Sequence, residues 1–172
     1  NTLLLEDMVQ WQIHHRLFGG LHAWGIFTQP LAFIMFFTAS IAETKRIPFD
    51  VPEGESELAA GYFTEYSGMK FGMFMMGEYI EIVVLSAVVT VMFFGGYDLP
   101  VLLPWAEANL PHLIVLLIGI GVFLVKVVAL CWFQLMIRWT LPRFRADQLM
   151  NLGWKLLLPL TLDSSLLPIS LL

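Results

Sequence analysis

Six carboxylates crowd the stretch ETKRIPFDVPEGESELAAGYFTEY between Glu43 and Tyr66: Glu43, Asp50, Glu53, Glu55, Glu57 and Glu65. Only Lys45 and Arg46 offset them. The stretch lies between two long apolar runs, where a plain connector has no need of so many acids. The series continues inside the next apolar run with Glu78 and Glu81, and Lys126 sits near the middle of the run after that. An ionised side chain at the centre of a membrane helix costs about 2.5–3.5 kcal/mol on the insertion scale, so such residues face the protein interior and often serve proton paths. Glu78 and Glu81 are i, i+3 and therefore neighbours on one helix face. Glu53 and Glu57 are i, i+4; like charges on one face repel, and one can keep its proton at neutral pH. Lys126 must snorkel, lose its proton or pair with an acid, and Glu78 or Glu81 are natural partners. The chemistry on offer is a proton relay through Glu43, Glu53, Glu55, Glu57, Glu65, Glu78, Glu81 and Lys126. The plainer alternative makes the loop acids solvated residues or helix caps, and Glu78 a hydrogen bond between helices.

Composition fixes the setting for that chemistry. Hydrophobic residues make up 58% of the 172 residues and charged residues 13%, against about one quarter charged in soluble domains. Mean hydropathy is +0.77. The class is an all-α integral membrane protein in a single membrane domain. A net charge of −5 and the lack of a basic stripe argue against nucleic acid. Cys131 is the one cysteine, so it forms no internal disulfide and has no partner at metal-ligand spacing. His14 and His15 are adjacent and point about 100° apart on a helix, a poor chelate. No G-x-G-x-x-G, P-loop, H-E-x-x-H or cysteine cluster is present, so no metal, nucleotide or redox centre is expected on this chain. The Phe and Met residues of FGMFMM read as helix packing before they read as a ligand site.

Four spans are expected to hold the acids in place: residues 24–41, 71–94, 112–137 and 152–172, with the acidic loop at 43–70. Before them, residues 3–18 mix apolar and polar positions at helical spacing, with Leu4, Met8, Trp11 and His15 near one face. That pattern predicts an amphipathic helix at the membrane surface. Pro30 lies near the start of the first span, where a missing N–H costs least. Asp50-Val-Pro-Glu53 resembles a capping box that opens a short helix in the loop. Gly68-x-x-x-Gly72 suits close packing against another helix. Trp105 is placed at the membrane interface, and Pro159 and Pro168 are expected to kink the fourth span. The chain opens on Asn1 with no cleavable signal, and reads as a fragment, a processed chain or one half of a split subunit.

Basic residues set the expected orientation. Lys45, Arg46 and Lys70 lie in or beside the acidic loop, and Arg138, Arg143 and Arg145 lie after the third span. The positive-inside rule puts these segments in the bacterial cytoplasm or the mitochondrial matrix. The chain is then a multi-pass protein of a bacterial or mitochondrial inner membrane.

Two blocks carry a family resemblance. AETKRIPFDVPEGESELAAGYFTEYSGMKF and RWTLPRFRADQLMNLGWK, in that order, resemble the signatures of the NuoH family, membrane components of NADH–quinone oxidoreductase, respiratory complex I. The match covers the C-terminal half of that family. It implies a membrane-arm subunit that helps form the quinone-access cavity and couples quinone reduction to proton translocation. By motif match, Arg46, Phe49 and Asp50 fall in the R-x-P-F-D segment beside the quinone cavity. Glu43, Asp50, Glu53, Glu55, Glu57, Glu65 and Glu78 fall on the family's acidic positions, and Arg143 and Arg145 in its P-R-F-R segment. The resemblance implies quinone as substrate, with FMN and iron–sulfur clusters in partner subunits. It also implies other membrane subunits, peripheral-arm subunits at the quinone site, and a separate chain that could supply the N-terminal half. Two departures stand out: Lys45 where Asn is usual, and Glu81 where a neutral residue is frequent. The alternatives are the membrane subunit of a ferredoxin-linked energy-converting hydrogenase, and a passive anchor for a soluble redox arm.

Overall fold

The computed structural model describes residues 4–15, 22–45, 47–50, 64–99 and 111–166, with side chains as far as 162. Every regular element among them is helical: α1 (Leu5–His14), α2 (Gly25–Thr28), α3 (Pro30–Glu43), α4 (Met69–Phe93), α5 (His112–Thr140), α6 (Ala146–Asn151), a π-helical turn (Leu152–Leu157) and α7 (Leu158–Leu166). Two of these, α4 with 25 residues and α5 with 29, are long and apolar enough to cross a bilayer. At 1.5 Å per residue they measure about 37 and 43 Å, more than the ~30 Å hydrocarbon core. Their surfaces fit that solvent. Leu113, Leu117, Val125, Val128 and Trp132 of α5 are each more than half exposed, as side chains facing lipid must be.

The first expected span is broken. α2 ends at Thr28, Gln29 leaves helical geometry, and Pro30 opens α3. Proline fits the first position of a helix and disfavours helical geometry in the residue before it. α3 is therefore 14 residues long. The second and third expected spans match α4 and α5 to within a few residues. Over the fourth expected span the described residues run as one uninterrupted helical stretch, 146–166, in which α6, the π-helical turn and α7 follow one another. Pro159 has no N–H to give, and the wider turn just before it, where the Leu158 N–H reaches back to the Gly153 carbonyl, accommodates that loss.

α1 forms a helix where the sequence predicts one. Val9 and Gln12 are its buried residues, while Leu4, Trp11 and His15 are exposed. Gly68 and Gly72 do not mark a close helix contact among the described residues: a Cβ at either would meet nothing within 4 Å. The capping box at Asp50–Glu53 and Trp105 of the following loop lie outside the described residues, as does Pro168.

The chain divides into two compact units. The first takes Asn1–Phe33 and Val83–Phe133. Its core holds Val89, Thr90 and Ser86 of α4, all at 0% exposure, with Val127 and Leu130 of α5. Small polar side chains let the helix backbones approach and then satisfy one another: the Thr90 hydroxyl donates to the Ser86 carbonyl at 2.8 Å and the Cys131 thiol to the Ser86 hydroxyl at 3.3 Å. Gly25 permits the approach of α2, since a Cβ there would fall 2.7 Å from the Met92 carbonyl oxygen. Phe33 meets Phe93 and Phe94 edge-on, at centroid distances of 5.4 and 5.8 Å. The second unit takes Ile34–Ile82 and Gln134–Leu172. Its buried residues include Met35, Phe37, Ile41, Phe49 and Ile82.

Candidate functional site

In the second unit the two sequence blocks meet. α3 ends at Glu43, and the chain turns through Lys45, which holds a positive φ of 51°. That left-handed conformation suits Asn far better than Lys. Thr44 beside it is buried, its hydroxyl donating to the Ile41 carbonyl at 2.9 Å. A cis Ile47–Pro48 peptide follows. The Pro48 carbonyl accepts a hydrogen bond from the Phe144 N–H at 3.0 Å, and the rings of Phe49 and Phe144 lie 5.6 Å apart. The I-P-F-D segment thus lies against Phe144 of P-R-F-R. Asp50, at its end, is 1% exposed. A void of about 20 Å³ lined by Thr44, Ile47, Gln134 and Arg138 lies in the same unit, about the size that holds one water.

The other described acids lie on separate stretches of chain. Glu43 ends α3 exposed, and Glu65 is exposed just before α4. Glu78 and Glu81 lie in the first half of α4, each partly buried, and both Glu78 carboxylate oxygens are sealed from solvent. Arg143 is partly buried and Arg145 is exposed. Arg46, Glu53, Glu55 and Glu57 lie outside the described residues. Among the described residues, no three His, Cys, Asp or Glu side chains gather as a metal site.

The first unit holds a second cluster, and it corrects the expected pairing of Lys126. The sequence offered Glu78 or Glu81 as partners; the ammonium is instead taken up by the turn after α4. Its Nζ donates to the backbone carbonyls of Phe94 at 2.7 Å, Gly96 at 3.0 Å and Asp98 at 2.5 Å. An ammonium has three N–H donors, so three acceptors satisfy it. Carbonyls at a helix C-terminus also carry partial negative charge. The Nζ lies 4.7 Å from the centroid of the Trp24 ring, a cation–π contact worth about 0.5–2 kcal/mol. The Asp98 carboxylate attracts the same ammonium.

Asp98 is 1% exposed and touches two more side chains. Its Oδ2 accepts from Trp24 Nε1 at 3.2 Å and pairs with His22 Nδ1. His22 is 5% exposed. The turn that places Asp98 needs glycine: Gly95 has φ +67°, Gly96 has φ +57°, and a Cβ on Gly95 would fall 2.8 Å from Trp24 Nε1. Sequence reading passed over His22, Trp24 and Asp98. The available signal was an Asp two residues after a Gly-Gly helix stop, in a chain whose next helix buries an unexplained lysine.

Two cavities flank α1. One of about 890 Å³ is apolar and lies against α5, lined by Val9, Tyr97, Leu116, Ile120 and Phe123 among others. The other, of about 520 Å³, is more polar and is lined by Asp7, Trp11, Gln12, Ala23, Gly25 and Gln29 among others. Gln12 is 5% exposed, and its amide donates to the Met92 carbonyl at 2.8 Å. Its Oε1 is buried and accepts no hydrogen bond among the described residues.

Comparison with known proteins agrees with these blocks. A model of the NADH dehydrogenase family matches residues 1–168. Over 139 residues the chain is 47% identical to the H subunit of the NADH-quinone oxidoreductase of Flavobacterium johnsoniae. That alignment covers 81% of this chain and 39% of the relative, so the chain spans well under half of the length of the curated relative it matches.

Proposed function

The chain belongs to the NADH dehydrogenase family, and from that premise we propose that it serves as a membrane-arm subunit of a proton-pumping NADH:quinone oxidoreductase. In this reading it lines part of the path by which quinone reaches the peripheral arm. It also passes the charge change of quinone reduction to proton movement in the membrane. One observation supports the reading: the I-P-F-D segment is folded against Phe144 of P-R-F-R through Pro48 and Phe49, and Asp50 at its end is buried. A carboxylate at 1% exposure responds strongly to any charge that appears beside it, because the surrounding dielectric is low.

The roles follow from position. Arg46, Phe49 and Asp50 border the quinone cavity. Glu43, Glu53, Glu55, Glu57 and Glu65 gather protons at the loop, and Glu78 with Glu81 carry the series into α4. Charge appearing at the cavity shifts the protonation of these acids and moves the loop between two states. Four spans, with α2 and α3 as a short broken one and residues 152–172 as the last, go with an acidic loop on the cytoplasmic or matrix side of an inner membrane. The redox work belongs to FMN and iron–sulfur clusters of partner subunits.

The test is NADH-driven quinone reduction by the purified complex that contains this chain, with and without a quinone analogue that blocks the cavity. Analogue-sensitive reduction is expected. Hydrogen or ferredoxin turnover independent of quinone would remove the assignment.

A further inference from the structure

We propose that His22 and Asp98 form a proton-exchange site beyond the C-terminal end of α4, where a proton moved through the membrane is passed to water. This rests on the reading of the chain as part of a proton-translocating complex. It adds a station that neither the acid series nor the family blocks contain.

The argument starts from burial. Ionisable groups inside a membrane protein are expensive to keep and therefore point to function, with the partner named. Here they gather in one place: Asp98 at 1% exposure, His22 at 5%, and Lys126 with all three donors engaged. Lys126 is held by backbone carbonyls, so anchoring the ammonium does not require the Asp98 side chain. That carboxylate is engaged by His22 and Trp24. A turn that needed only a pin for Lys126 would be complete without the pair.

Charge counting gives the pair its use. With Asp98 ionised and Lys126 charged, the cluster is neutral when His22 is neutral. The imidazole can take one proton at the ring nitrogen that does not face Asp98. It is then an imidazolium beside a carboxylate, and the cluster carries one net positive charge. Release of that proton to water restores the neutral state. Nothing is oxidised or reduced: one N–H bond forms and the same bond breaks.

Room for water lies one residue along the chain from His22. Ala23 and Gly25, on either side of Trp24, line the polar cavity of about 520 Å³ beside α1, which neither His22 nor Asp98 lines. Gln12 turns a buried Oε1 toward a partner that the described residues do not supply. A buried acceptor of that kind calls for a donor such as water, and Asp7 stands in the same lining.

The experiment uses the assembled complex in proteoliposomes, reading quinone reduction and protons moved per electron together. Asp98→Asn keeps the backbone carbonyl for Lys126 and an oxygen for Trp24 Nε1. His22→Gln keeps a polar side chain of similar reach, and His22→Ala is read with and without added imidazole. The expected result is quinone reduction retained, a loss of protons per electron in all three variants, and partial recovery of His22→Ala by imidazole. In the infrared difference between resting and turning-over enzyme, a carboxylate signal present in wild type should disappear in Asp98→Asn. Wild-type proton yield in Asp98→Asn and His22→Gln would overturn the proposal. So would loss of assembly in all variants, which would make the cluster a structural pin. A wild-type complex that reduces quinone without moving protons would defeat the functional reading itself, and this site with it.

Discussion

Lys126 Nζ lies 2.5 Å from the backbone oxygen of Asp98. The contact closes a ring of three carbonyls around a charge carried midway along a helix long enough to span the bilayer. It ties α5 to the turn that ends α4, and it explains how a membrane helix can carry the charge: the half-buried ammonium keeps an acceptor for each of its three donors.

Replacing Lys126 by Met removes the donor and leaves those carbonyls facing one another. Each buried acceptor left unpaired costs about 1–3 kcal/mol. Lys126→Met should therefore lower stability by on the order of 3 kcal/mol, seen as a lower melting temperature of the complex and less of it in membranes. An unchanged melting temperature would show that the ring of carbonyls is satisfied in another way.

Gly95→Ala tests the turn itself. The new Cβ would fall 2.8 Å from Trp24 Nε1 at φ +67°, with a backbone cost of about 1–2 kcal/mol. Gly121→Ala is the control, since its Cβ meets nothing within 4 Å. Thermal unfolding of the two variants should separate them, with Gly95→Ala less stable and Gly121→Ala at or slightly above wild type.

These positions show where sequence reading reached and where it stopped. α4 and α5 were legible because long apolar runs at this length have one stable form in lipid. The break at Gln29–Pro30 was not, because hydropathy is blind to the backbone geometry that proline imposes on its neighbour. The I-P-F-D and P-R-F-R blocks were each legible, but their contact spans nearly one hundred residues of chain and leaves no local trace. Lys126 was recognised as needing a partner. Carboxylates stand out in a sequence as its partners, whereas backbone carbonyls at a helix end do not. Asp98 carries no such signal, because a lone acid in a loop reads as solvated.

Lys45 offers a gain in stability. At φ 51° it occupies a conformation that Asn adopts more readily than Lys. Lys45→Asn should raise stability by up to about 1 kcal/mol, read as a higher melting temperature with quinone reduction kept. A lower melting temperature would mean that the Lys45 side chain contributes more than its backbone costs.

Phe144→Leu probes the contact between the two blocks. The Phe49–Phe144 pair, at 5.6 Å, is worth about 0.5–1.5 kcal/mol beyond its buried area. Losing it should loosen the segment that carries Asp50 and raise KM for quinone while the complex still assembles. Steady-state kinetics against quinone concentration check this. An unchanged KM would detach the segment from the quinone path.

The most direct measurement concerns Glu78, whose carboxylate oxygens are sealed from solvent in α4. Proteoliposomes containing the complex are driven with NADH, and proton movement and quinone reduction are followed in wild type and in Glu78→Gln. A relay predicts that Glu78→Gln assembles normally and loses coupled proton movement. Wild-type coupled activity in that variant would contradict the account.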